Sequence, residues 1–115
     1  MEQNPIVKFP FGAASVVSLP ASGAAEVDIQ NSLTILDGAT TQATGARTVD
    51  LNIAPDVPIG ARLVIKHKTA ATETLTPGTG MAGKAVTGVA SKTQVVEFFY
   101  DGNKFIQMAA AVQID

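Results

Sequence analysis

The hexapeptide Thr48-Val49-Asp50-Leu51-Asn52-Ile53 alternates polar and apolar residues without a break. Successive side chains of a strand point to opposite faces, so this pattern describes a strand with one dry and one wet face, and the 3.6-residue period of a helix does not fit it. The same period returns in Glu26-Val27-Asp28-Ile29 and, more weakly, in Thr72–Thr76. Arg62–Lys68 is β-branched at its middle and reads as a further strand, as do Val16–Leu19, Ser32–Leu36 and Ala85–Thr87. Turn chemistry separates these pieces: two prolines and a glycine in Ala54–Gly60, and the pairs Asp37-Gly38 and Asp101-Gly102. Pro77–Gly83 is glycine-rich, offers little to bury and is expected to be a flexible connection. The alanine-rich pieces Ala21–Ala25 and Ala109–Val112 are too short to stand as helices. Short strands at near-regular spacing predict an all-β fold, a small antiparallel β-sandwich or barrel, with no repeat of fixed period.

Residues 1–12 differ from the rest. Pro5 and Pro10 cannot donate to a sheet ladder, which makes this piece an edge strand or an extended N-terminal arm before a single β domain over 13–115. Its apolar residues Ile6, Val7, Phe9 and Phe11, with Pro5, are candidates for contact with another protein surface.

The second constraint is the segment Glu97-Phe98-Phe99-Tyr100-Asp101-Gly102-Asn103-Lys104-Phe105-Ile106-Gln107-Met108, which concentrates aromatics in a chain that is only 5% aromatic. Asp101-Gly102 suits a tight hairpin turn between two antiparallel strands. On the first strand, Val96, Phe98 and Tyr100 form a wholly apolar face, expected to fill the core, while Val95, Glu97 and Phe99 form a mixed face. The mixed face, with Phe99 and Phe105 as its candidate residues, is left over. A leftover apolar face is normally covered by another sheet, an arm or another subunit, and a chain of 115 residues has little spare material to cover it. A subunit interface is the expectation.

Several kinds of chemistry find little support. A net charge of −2, with scattered basic residues, argues against phosphate-neutralising contact with nucleic acid. There is no cysteine, hence no disulfide and no thiolate metal site. The start of the chain lacks a basic region followed by an apolar run, and no apolar run approaches the roughly 18 to 20 residues that span a bilayer. Neither a signal peptide nor a membrane segment is expected, and synthesis in the cytoplasm is. The single histidine, His67, lies between two lysines and reads as an exposed strand residue, with Lys66 and Lys68 making a small basic spot on the opposite face. Glu73, Glu97 and Asp50 sit on different predicted strands, and their spacing does not require them to meet as a catalytic pair. Gly78–Gly88 is superficially like a phosphate loop, but Gly83-Lys84 is followed by Ala85 and by no helix. No catalytic residue, cofactor or metal site is expected, and the chain reads as a non-enzyme.

With the strands placed, the order TVDLNIA, VPIGARLVIKHKT, ATETLTPGTG and AVTGVASKTQVVEFFYDGNKFIQ, covering about residues 46 to 108, resembles a small β-module of tailed-phage virion proteins of the head-decoration and head-fibre type. The resemblance is one of style and order, carried by a glycine-alanine-led strand, a TETLT–GTG turn and a closing YDG–KF hairpin. It implies a structural virion protein, a capsid decoration or cement protein, commonly trimeric, that binds the major capsid protein on the outside of the head and stabilises the shell. The N-terminal arm would then contact the capsid or a neighbouring subunit. The rival expectation is a tail, baseplate or head-fibre module that binds a host glycan.

Overall fold

From one strand to the next, the first six strands change sheet, and this rule organises the molecule. The structure is a computed structural model and describes residues 14–115. The strands are β1 (Ser15–Ser18), β2 (Gly23–Ile29), β3 (Leu33–Ala43), β4 (Arg47–Ile53), β5 (Arg62–Thr69), β6 (Thr74–Pro77), β7 (Met81–Ala82), β8 (Val86–Thr87), β9 (Thr93–Tyr100), β10 (Phe105–Gln107) and β11 (Val112–Gln113). One sheet has the order β1-β3-β5-β9-β10-β7, with β11 also paired to β9; the other has the order β2-β4-β6-β8. The described residues contain no helix. The fold is the expected all-β sandwich.

The strand directions differ from the antiparallel expectation. β1, β3 and β5 run parallel in the first sheet, and β2, β4 and β6 run parallel in the second. Parallel neighbours need a crossover that returns the chain to the same end. Here the crossover is a strand of the opposite sheet, so β1 to β6 make three turns of a flattened coil. The chain then reverses. β8 runs antiparallel to β6, and β9 antiparallel to β5, β10 and β11. Successive turns differ in length, Ser15 pairing with Thr34 and Thr34 with Leu63, so the coil leaves no fixed period in the sequence.

Between the sheets lies one core. Val27, Ile29, Val49, Leu51 and Leu75 of the second sheet face Leu36, Leu63, Ile65, Val96, Phe98 and Phe105 of the first. The alternation in β4 and β5 places these residues inward at every second position. Two turn expectations fail. Asp37-Gly38 lies inside β3, which runs on to Ala43 across a register shift. The Asp37 carboxylate accepts hydrogen bonds from the Ala39 and Thr40 amides and from the Thr40 hydroxyl, and the pair bends a strand instead of ending one. Pro77–Gly83 is no loose connection: Met81 is buried, β7 pairs with β10, and a Cβ on Gly83 would meet the Gln107 and Phe98 side chains.

Candidate interaction surface

The outward face of the first sheet can be built row by row from the register. Residues directly opposite on neighbouring strands share a face. Leu33, Arg62, Phe99 and Ile106 form one row. Val16, Ile35, Val64 and Glu97 form the next. Asp37, Lys66, Val95 and Val112 form the third. Val95, Glu97, Met108, Val112 and Ile114 together line a shallow hollow where the C-terminal segment returns along β9. Val16, Phe99, Met108, Val112 and Ile114 are all exposed large hydrophobics, and only Ile59 and Val89 among the described residues are such residues elsewhere.

The charges on this face compensate one another. Arg62 donates to Glu97 at 2.7 Å in an exposed ion pair. Asp37 is held down to about 2 by the Ala39 amide, the Thr40 hydroxyl and the Thr40 amide, with Lys66 contributing attraction. Arg62 and Glu97 therefore offset one another, as do Lys66 and Asp37, while Lys68, the next outward residue of β5, is attracted to the Asp115 carboxylate. Single exposed pairs of this kind contribute little stability, but they leave no isolated charge to oppose burial against a partner.

The hairpin residues divide as their parity dictates. Val96 and Phe98 are buried, and Tyr100 packs against the core, as expected. Phe99 is outward and 37% exposed. Phe105 is corrected: it is fully buried, opposite Tyr100 in register, and stacks on that ring at 5.0 Å between centroids. Ile106 takes the place beside Phe99 that was expected for Phe105. The turn itself is as expected, with Gly102 at φ +98° and the Asp101 carboxylate accepting from the Asn103 and Lys104 amides. The Tyr100 hydroxyl donates to the Gly102 carbonyl at 3.1 Å, and its ring lies on Phe105, an arrangement that holds the only tyrosine against the hairpin. Pro5, Ile6, Val7, Phe9 and Phe11 lie outside the described residues.

A polar cluster inside the sandwich has no counterpart in the sequence reading. His67 is fully buried, contrary to the exposed position expected for it, because it continues the inward series Leu63, Ile65, His67, Thr69 while Lys66 and Lys68 face outward. Arg47, at the start of β4, is only 1% exposed. Its guanidinium donates to the carbonyls of Pro20 at 2.7 Å, Gly38 at 2.9 Å and Thr41, and its Nη1 lies 3.2 Å from His67 Nδ1. A guanidinium has only donors, so Nδ1 accepts and the proton sits on Nε2, which donates to the Glu73 carbonyl at 3.0 Å. The imidazole is neutral in this arrangement. Burial pushes its pKa below the ordinary value, the Glu73 carbonyl opposes, and Arg47 adds to the lowering. Burial likewise lowers the Arg47 pKa, with Asp37 opposing. This cluster closes one end of the core and ties the extension of β3 to β4 and β5.

The three carboxylates weighed as a catalytic set stand on separate elements. Asp50, on β4, accepts from the Thr79 amide; Glu97, on β9, pairs with Arg62; Glu73, between β5 and β6, accepts from the Ala71 amide. The Asp50 contact also bears on the glycine-rich segment, because it engages the Thr79 amide with a carboxylate, while the Gly78 amide donates to Val49. No protein-family model matches the chain, and no curated protein matches it.

Proposed function

We propose that the chain is a structural subunit of a tailed-phage virion, a capsid decoration protein that binds the outside of the head and acts through surface contacts instead of chemistry. One observation carries the reading: the charge-compensated apolar face of the first sheet, with Val16, Ile35, Val64, Phe99 and Ile106 in register across neighbouring strands. Contiguous apolar surface beyond a few hundred Å² on a small domain marks an interaction site. A rigid sheet bearing such a face suits a repeated subunit, since weak contacts add through multivalency on a symmetric lattice. The sequence resemblance over about residues 46 to 108 supplies the virion setting and the threefold arrangement.

The direct test is labelling. An antibody against the chain, applied to virus particles released by the host that encodes it, is expected to decorate heads at regular positions. Label confined to tails would replace the reading with the tail or fibre alternative, and particles without label would overturn it.

A further inference from the structure

The two sheets part along the side of the sandwich where β8 ends the second one. A groove of about 530 Å³ opens there, with residues 84–87 on one wall, residues 107–111 on the other, and Gln94 reaching it from β9. Its walls are tied together. The Gln107 side chain accepts from the Lys84 amide at 2.8 Å through Oε1 and donates to the Ala109 carbonyl at 2.8 Å through Nε2. Gly83 lies so close that a Cβ there would stand 2.6 Å from Gln107 Oε1. The groove is therefore built into the fold, and a ligand entering it has little of the protein to order.

Three groups here lack partners. Gln94 continues the inward series of Val96 and Phe98 and is only 9% exposed. His67 stands opposite it in register, but both ring nitrogens of His67 are engaged, one by Arg47 and one by the Glu73 carbonyl. Among the described residues no hydrogen bond engages the Gln94 amide, which holds both a donor and an acceptor. The second group is the backbone of Thr87. Thr87 stands opposite Thr74, while the Gly88 amide donates to the Glu73 carbonyl. The bonded pairs of this antiparallel ladder therefore flank Thr87, and its own N–H and C=O point away from β6 to the free edge. The third is Lys84, the one charged side chain that lines the groove, which has no ion pair among the described residues. We infer that the groove binds an extended peptide segment of a partner protein. Its backbone adds to the edge at Thr87, a peptide or side-chain amide pairs with Gln94, and a carboxylate meets Lys84. Ala109, Ala110 and Ala111 leave room for its side chains, and no aromatic ring lines the groove for a sugar to stack on. The site stands apart from the outward apolar face and does not rest on the virion reading.

A library of acetylated hexapeptide amides, random at every position and carried on beads, tests this with the full chain. Bound peptides are expected to be enriched in aspartate and glutamate, and a resynthesised binder is expected to shift the amide resonances of Thr87 and of residues 109–111 in NMR spectra. Thr87→Pro removes the outward donor, a change that an edge strand tolerates. Gln94→Leu removes the buried amide. Each is expected to weaken that binder at least about tenfold, as the loss of a hydrogen bond in a dry site does. Lys84→Glu is expected to turn the selection toward lysine and arginine, whereas Lys68→Glu, on the outward face of β5, is expected to leave it unchanged. Thr87→Pro and Lys84→Glu change exposed positions, so they report on the site even if Gln94→Leu disturbs the core. A library without binders would overturn the proposal, as would a binder that holds equally well to Thr87→Pro and Lys84→Glu. Shifts at the same residues from chitotriose, a neutral oligosaccharide, with none from peptides, would assign the groove to sugars instead.

Discussion

At the scale of single residues, the buried His67–Arg47 contact ties stability to pH. His67 is the only histidine, so its titration is isolated from others. Its folded pKa lies below the ordinary value of 6.5 because burial disfavours the charged ring and Arg47 faces it, while the Glu73 carbonyl opposes. The unfolded chain therefore takes up a proton before the folded one does. Stability is full above about pH 6.5 and falls as pH drops below it, by at most about 1.4 kcal/mol per pH unit for one proton. Urea unfolding at pH 7 and pH 5 is expected to show this loss. His67→Gln, which keeps a donor and an acceptor without titrating, is expected to flatten it, and an equally steep loss in that variant would contradict the assignment. Thr34 makes an opposite case. Its hydroxyl is buried without a partner among the described residues. Thr34→Val keeps the shape and removes the unsatisfied group, so thermal unfolding is expected to rise by a few degrees, equivalent to about 1 kcal/mol.

At the scale of elements, most strands were legible because alternation and turn residues report local geometry, and Thr48–Ile53 reappears almost unchanged as β4. Strand direction was not legible. Both parallel and antiparallel strands alternate with period two, and only the length and path of a connection separate them. Here the connecting piece is itself a strand, so it looked like the next neighbour in a meander. The face of Phe105 was hidden for a related reason. Four residues stand between the paired Tyr100 and Phe105, and an even number puts Phe105 on the core face, whereas an odd number would turn it outward. Glu97 did mark the outer face of β9 correctly, since an unburied charge fixes the parity of its neighbours. Arg47 gave no signal, because its partners are backbone carbonyls that any sequence possesses. The bend in β3 shows how such a hidden partner constrains an element. A Cβ on Gly38 would meet the Arg47 guanidinium and stand 2.5 Å from the Lys66 carbonyl oxygen. Gly38→Ala must therefore displace either β5 or the buried cation, and is expected to cost about 2 to 3 kcal/mol. Chemical denaturation measures this; a loss below about 0.5 kcal/mol, the range of an ordinary surface change, would show that the bend yields freely.

At the scale of the whole molecule, the two broad surfaces of the sandwich are unequal. The second sheet turns Glu26, Asp28, Asp50 and Asn52 outward along its first two strands, while the first sheet turns out Val16, Ile35, Val64, Phe99 and Ile106. A polar face needs no partner, and an apolar face of similar reach does. If the first sheet is the subunit contact, a charge at its centre will act on assembly and leave the fold intact, because the core side chains point the other way. Val64 is the position to change: it lies in the middle row, half-buried, between Ile35 and Glu97. Val64→Glu adds a carboxylate beside Glu97 and unbalances the Arg62–Glu97 pair, and burying that uncompensated charge against a partner costs several kcal/mol. Light scattering over a concentration range is expected to give a multimer for the native chain and a monomer for Val64→Glu, with the two showing the same strand signal by circular dichroism. A trimer would support the threefold arrangement. A native chain that stays monomeric at every concentration would remove self-association as the use of this face and transfer the contact to the shell itself. Val64→Glu would then be expected to abolish capsid binding without any change of native mass, so the same substitution separates a face that meets its own copies from one that meets only the lattice.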